Sequence, residues 1–312
     1  MFESHLAARH FGDGQQLPRS ISEHHVLHQA LQHNNGAPSN RPSAALSCEL
    51  LDLSAAVRAG VPRAVAMLGQ YYPLFCEAFP DPDTRSTFEE CLRDLRHSNF
   101  HIQVVVANGQ VVGGLHWWLI DVPSIQAQAG QDPAHDGERA LRLGVEEHIW
   151  VDRTMRGLGV GHTLDQHLRA RLRTLGADAV LSELKNPFTM ELADRVSDLA
   201  IGQSPEARLR FFQRQGRLLL NASYKQLALR ADAAPLDGMV LTVEPLRLGF
   251  LEMTRSQYRS FLREYFSRIR GTEYDIEADP TYRDLVDTLV ANDDDRIPFV
   301  ELDETHLRMG VR

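Results

Sequence analysis

From residue 47 onward the apolar positions fall into two rhythms, and the changes of rhythm mark the elements. Residues 101–107 (HIQVVVA) and 111–120 (VVGGLHWWLI) are β-branched and aromatic runs. Between them stands Asn108-Gly109, a pair suited to the positive φ angles of a type I′ turn, which predicts a hairpin. CELLDL, at 48–53, reads as a short strand. Residues 61–79 read as a helix with Pro62 in its first turn, and Asp83-Thr84 is expected to cap a second helix over 85–96. A polar loop, roughly 124–138, precedes a strand over 141–151. After a glycine-rich turn, Leu164, Leu168, Leu172 and Leu175 give the helix 161–175 one apolar stripe. A strand follows at 179–184. Ser204-Pro205-Glu206 supplies the cap, first position and acidic first turn of another helix, which Gly216 closes. Strands at about 218–229 and 238–243 complete this body.

The two ends differ from the body. Residues 1–44 read as a poorly ordered polar arm, because 33–43 (HNNGAPSNRPS) is rich in residues that favour turns and solvated coil. Six of the fourteen histidines precede residue 34, among them His24, His25 and His28, but no Cys or carboxylate cluster accompanies them, so a polar arm is expected and no metal. From Gly249 a helical extension is expected, giving three units: 1–44, 45–248 and 249–312. Thr254 and Gln257 have capping-box spacing, and Tyr258, Phe261, Leu262, Tyr265, Phe266 and Ile269 form a wide apolar face. That face must be buried, on this chain or on a partner; a homodimer is allowed.

Composition narrows the class. At 312 residues, with 43% hydrophobic and 24% charged positions, the chain is long enough for a full core. No apolar window is long enough to span a bilayer. A basic, then apolar leader is absent, so no secretory signal and a cytoplasmic location are expected. Cys48, Cys76 and Cys91 are odd in number, far apart and without metal-ligand spacing, so reduced thiols are expected. A formal charge of −9 opposes nucleic-acid binding as the main task.

Candidate chemistry sits in 151–162 (VDRTMRGLGVGH). A strand ends, Arg156 supplies charge, and three glycines open a helix. Unblocked backbone N–H groups and the positive end of the helix dipole then face the turn, where a pyrophosphate would fit. A dinucleotide turn uses the same physics, but its spacing needs Gly where His162 stands, and the preceding hairpin is antiparallel. No Gly-Lys-Ser/Thr follows.

Arg156-x-x-Gly159-x-Gly161 resembles the Q/R-x-x-G-x-G/A pattern of the GCN5-related N-acetyltransferases (GNAT), and the order of elements over 46–247 is similar to that family. Asn186 and the aromatic helix 208–216 (RLRFFQRQG) form a second similar block. The resemblance implies an α/β (α+β) fold, with a mixed, mostly antiparallel central sheet and helices on both faces. It also implies acetyl-CoA, or another acyl-CoA, as co-substrate, without a metal, and direct transfer to an amine on a small molecule or a peptide or protein. Val151 would pair by its backbone with the pantetheine arm. Arg156, Gly157, Gly159, Gly161 and His162 would line the pyrophosphate, and Asn186 would sit near the sulfur. Phe212 stands where the family often has a Tyr that protonates the leaving thiolate; Tyr224 on the next strand is a substitute.

An amine acceptor must be neutral to react, so a base is needed near the thioester. Alternation over 143–151 places Leu143, Val145, Glu147, Ile149 and Val151 on one face, with Glu146, His148 and Trp150 opposite. Glu147, the sole charge on the apolar face, is the first candidate base. Glu146 is the second, then His148 and Glu183. The alternative is a splayed or bulged strand in which Glu147 meets water or an Arg. Trp117 and Trp118 read as packing. A catalytically silent acyl-CoA-binding module is the competing function.

Overall fold

The computed structural model describes residues 48–123, 139–230, 233–271, 273–290 and 295–309. The polar arm with its histidines and the loop 124–138 lie outside them.

Within the described residues the chain runs β1 (Cys48–Asp52), α1 (Leu53–Arg58), α2 (Pro62–Ala78), α3 (Phe88–Asp94), β2 (Phe100–Ala107), β3 (Gln110–Val122), β4 (Leu141–Val151), α4 (Val160–Thr174) and β5 (Ala179–Lys185). Then follow α5 (Leu192–Ala200), α6 (Pro205–Arg214), β6 (Leu218–Leu220), β7 (Met239–Pro245), β8 (Glu252–Thr254), α7 (Arg255–Arg270), α8 (Pro280–Val290), β9 (Arg296–Glu301) and α9 (Glu304–Met309). The strands form one nine-stranded sheet in the order β1-β2-β3-β4-β5-β7-β6-β9-β8. Every neighbouring pair is antiparallel except β4–β5. The β2–β3 turn has Asn108 at φ 51° and Gly109 at φ 78°, as the sequence predicts.

One face of the sheet packs against α2 and α7 in a core that includes Tyr71, Phe75, Trp118, Tyr258, Phe261 and Tyr265. The other face holds the leucine stripe of α4, with Leu164, Leu168 and Leu172 against Leu115, Trp117 and Val180. Farther along, α6 and α9 add Leu209, Phe212 and Leu307. Trp117 and Trp118 are both buried in packing.

Four local expectations change. The helix expected over 85–96 begins at Phe88, because Thr87 and Glu90 make both bonds of a capping box while Arg85 is extended. The expected strand over 218–229 stops at Leu220, and beyond it only a Gln226–Leu236 bridge remains. The segment after Asn186 contains an unforeseen helix, α5. The tail is not purely helical, since β8 and β9 extend the sheet through β6.

The aromatic face of α7 is buried on this chain: Tyr258, Phe261, Leu262, Tyr265 and Phe266 are at most 1% exposed. At roughly 1.5–3 kcal/mol per side chain, these five contribute on the order of 10 kcal/mol, comparable to a domain's whole net stability. Among the described residues no helix is long and apolar enough to cross a membrane. Cys91 is buried, Cys48 and Cys76 are part-buried, and all three are free thiols.

Candidate active site

The parallel ladder between β4 and β5 covers only Leu143↔Ala179 to Glu146↔Ser182. Beyond it β4 stays with β3 as far as Val151, and β5 stays with β7 as far as Lys185, so the two strands part. The first residues past the fork are Glu147 and Glu183.

A β-bulge lies at the same place. Opposite β4, His116 pairs with His148 and Trp117 with Glu146, which leaves Glu147 without a partner residue. The bulge shifts the alternation by one. Glu147 and His148 both point to the α2–α7 side with Leu143, Val145 and Trp150, whereas Ile149 and Val151 join the α4 side. Strict alternation therefore fails after Glu146, and the bulge is the cause.

On the α2–α7 side, Glu147 accepts a 3.3 Å hydrogen bond from Tyr265 and Glu183 accepts one from Tyr224. Among the described residues neither carboxylate has an ion-pair partner; Glu147 meets Tyr265, where the bulged-strand alternative had water or an Arg. Burial first, then the neighbouring Glu183 and Asp94, push the Glu147 pKa up to about 8. Burial pushes Glu183 up to about 7, opposed by the hydroxyls of Tyr224 and Tyr265. His148 donates from Nε2 to the Thr84 carbonyl at 2.9 Å, and burial lowers its pKa to about 4. Burial drives His116 well below the ordinary histidine range. Both rings are thus neutral near pH 7.

His116, Glu147 and His148 offer ligand atoms within 4.8 Å of one another. A tetrahedral zinc would hold them about 3.4 Å apart. The rings are packed among Tyr71, Phe75 and Phe79.

Glu146 faces the other way. It is 2% exposed and accepts a 2.9 Å bond from Arg217, which also donates to Asp165 at 2.8 Å and Ser182 at 3.0 Å. Glu244 and Arg169 complete the buried network. Burial raises the Glu146 pKa and Arg217 opposes that rise. Glu146 thus lies on the side of the sheet opposite Glu147, where it is a partner for Arg217. Sequence reading missed Arg217; its signal is an Arg between Gly216 and the apolar run Leu218–Leu220, a position whose charge requires a buried partner.

The glycine turn follows β4. Asp152 caps a short turn by accepting from Thr154 N at 2.8 Å. Gly157 and Gly159 have φ of 78° and 87°, and a side chain at Gly157 would enter open space rather than protein. Gly159 is the N-cap of α4, and no side chain caps that end. The first-turn N–H groups, including those of Gly161 and His162, are therefore left for an anion. This donor set fits a pyrophosphate. The Arg156 side chain is turned elsewhere, to the carbonyls of Val151 (3.1 Å) and Gly202, so it holds the turn's shape. The His162 ring pairs with Gln215. Asn186 is 4% exposed and its amide is engaged, donating to the Leu307 carbonyl at 2.8 Å and accepting from Phe188 N at 3.0 Å. These bonds tie it to α9 and to the segment after β5.

A fork between β4 and β5, a bulge at its start and an uncapped glycine turn beyond it now stand together, and the model of the acetyltransferase (GNAT) family matches residues 68–195, from α2 to α5. Residues 68–195 are thus similar to the GNAT acetyltransferases. A comparison with curated proteins finds no match. Among solved structures, a GNAT-family acetyltransferase from Bacteroides thetaiotaomicron is similar at 18% identity and TM-score 0.47, covering 72% of this chain and 98% of that one. A tandem GNAT protein from the clavulanic acid biosynthesis pathway has 17% identity and TM-score 0.40, with 57% and 46% covered. An aminoglycoside acetyltransferase from an uncultured soil metagenomic sample, in complex with sisomicin, has 18% identity and TM-score 0.31, with 50% and 84% covered. Beyond the GNAT match, the site includes residues after 195: Tyr224 from the irregular segment after β6 and Tyr265 from α7.

Proposed function

We propose that the protein is an acyl-CoA-dependent N-acyltransferase, with acetyl-CoA the default donor, acting by direct transfer to an amine. The observation that carries this reading is the carboxylate Glu147 at the β4–β5 fork, in a chain with a GNAT-like segment and a cradle for an anion one strand-end away. The pyrophosphate of the donor binds the N–H groups of the Gly157–His162 turn, and Val151 lies along the arm leading to the fork.

Glu147, in its ionised form, takes a proton from the acceptor ammonium. The freed nitrogen lone pair attacks the thioester carbonyl carbon, the C–S bond breaks, and the sulfur leaves as thiolate. The second proton of the nitrogen balances the step by passing to that thiolate or to water. Tyr224 is the hydroxyl group proposed for that transfer; its link to Glu183 ties it to the same cluster. Phe212 provides no such group: it is 3% exposed, and its ring lies 5.8 Å from the Arg217 guanidinium on the other face.

The lack of a tyrosine at 212 favours one second reading, a catalytically silent acyl-CoA-binding module. Release of free CoA from acetyl-CoA, measured across aminoglycosides, polyamines, amino acids and peptides, separates the two. Amine-dependent release supports transfer. Tight acetyl-CoA binding without release under any acceptor supports the silent module.

A further inference from the structure

We propose that the acceptor carries at least two amino groups, one reacting over Glu147 while a second, as an ammonium, is held by Glu183. This deepens the acyltransfer reading and rests on it. The two carboxylates are the first residues past the fork on adjacent strands, on the same side of the sheet, where the Tyr265 hydroxyl donates to Glu147 and the Tyr224 hydroxyl to Glu183. Glu183 Oε2 is buried and has no hydrogen-bond partner, although its Oε1 accepts from Tyr224. An unsatisfied buried carboxylate oxygen requires a donor, and an ammonium supplies both donor and opposite charge.

The groups around the pair supply no such charge. From β3 and β4 the neighbours are His116 and His148, both held neutral by burial. From α3 comes Asp94, another carboxylate, whose partner is Arg93 at 2.9 Å. From the β6–β7 segment and α7 come the tyrosine hydroxyls of 224 and 265. Among the described residues no Lys or Arg forms an ion pair with Glu147 or Glu183. Tyr224 also lines a cavity of about 220 Å³ whose walls include Lys225, Asp237 and Asp284. There one ammonium, at 3.0 and 3.4 Å, faces two carboxylates, so that wall is net negative as well. A monoamine would leave Glu183 uncompensated once Glu147 had taken its proton. A diamine or longer polyamine satisfies both.

The test compares straight-chain diamines of three to six carbons with n-alkyl monoamines of equal length, reading CoA release on the full chain. The best diamine should exceed the matched monoamine in kcat/KM by roughly 10- to 100-fold, the scale of one charged hydrogen bond. Glu183→Gln should collapse that ratio toward one. Monoamines that match every diamine, or a ratio that survives Glu183→Gln, overturn the proposal. Calorimetry of the same diamines with the wild-type protein and CoA reads the site without turnover. Binding at millimolar concentration or tighter, stronger than for monoamines, supports it, and equal or no binding overturns it. Diamine binding without CoA release from any amine would instead remove the acyltransfer reading. CoA release confined to monoamines would keep that reading and remove the diamine.

Discussion

Glu147 must be ionised to take a proton, yet its surroundings oppose ionisation. Its folded pKa of about 8 stands above the ordinary glutamate value, so the native state binds the proton more tightly than the unfolded chain does. The associated stability is complete below the unfolded pKa near 4.3 and is lost as pH rises through about 8. Glu147→Gln removes that loss. The melting temperature of the variant relative to wild type should therefore climb between pH 5 and pH 9, by ~2 °C or more, which thermal denaturation at the two pH values reads directly. Tyr265→Phe acts in the opposite sense on the same group. Its hydroxyl lowers the Glu147 pKa, so its removal should move the acid limb of the pH–rate profile to higher pH. An unmoved limb would show that another group controls it.

At the level of elements, β4 and the turn after it do most of the positioning. Gly159 needs φ near 87° and caps α4 without a side chain of its own. Gly159→Asp would place a side chain and a negative charge in the cradle, and it should abolish acetyl-CoA binding in a protein still folded by circular dichroism. Unchanged affinity would place the donor elsewhere. On the opposite face of β4, Arg217→Met should cost about 3–5 kcal/mol in urea denaturation, because Glu146 and Asp165 would keep buried charge without its partner. Local signals made much of this legible in the sequence: the Asn108-Gly109 hairpin, the leucine stripe of α4, the Thr254–Gln257 box and the glycine turn all depend on residues close in the chain. What depends on distant pairing was not legible. The bulge at Glu147 is set by the register of β3 across the gap 117↔146 and 116↔148, which no pattern within β4 reveals. The partner of Glu146 is equally remote, lying 71 residues away in the chain. Likewise the bond from the Asn186 amide to the Leu307 carbonyl joins residues 121 apart in the chain.

For the molecule as a whole, the tail belongs to the site as well as to the core. Helix α7 buries five large side chains and brings Tyr265 to Glu147, while β9 continues the sheet from β6. Removal of residues 249–312 should leave an insoluble or unfolded chain in expression and sedimentation tests; a soluble, monomeric, acetyl-CoA-binding remnant would show the tail to be separable. The central claim, proton removal by Glu147 in transfer from acetyl-CoA, meets its most direct test in the rate of CoA release under saturating donor and acceptor, for wild type and Glu147→Gln, at pH 7 and pH 9. The expected result is a loss of ~10²-fold or more at pH 7, partly recovered at pH 9 where more of the amine is already neutral, with acetyl-CoA affinity unchanged. Near-normal turnover of Glu147→Gln at pH 7 would contradict the account.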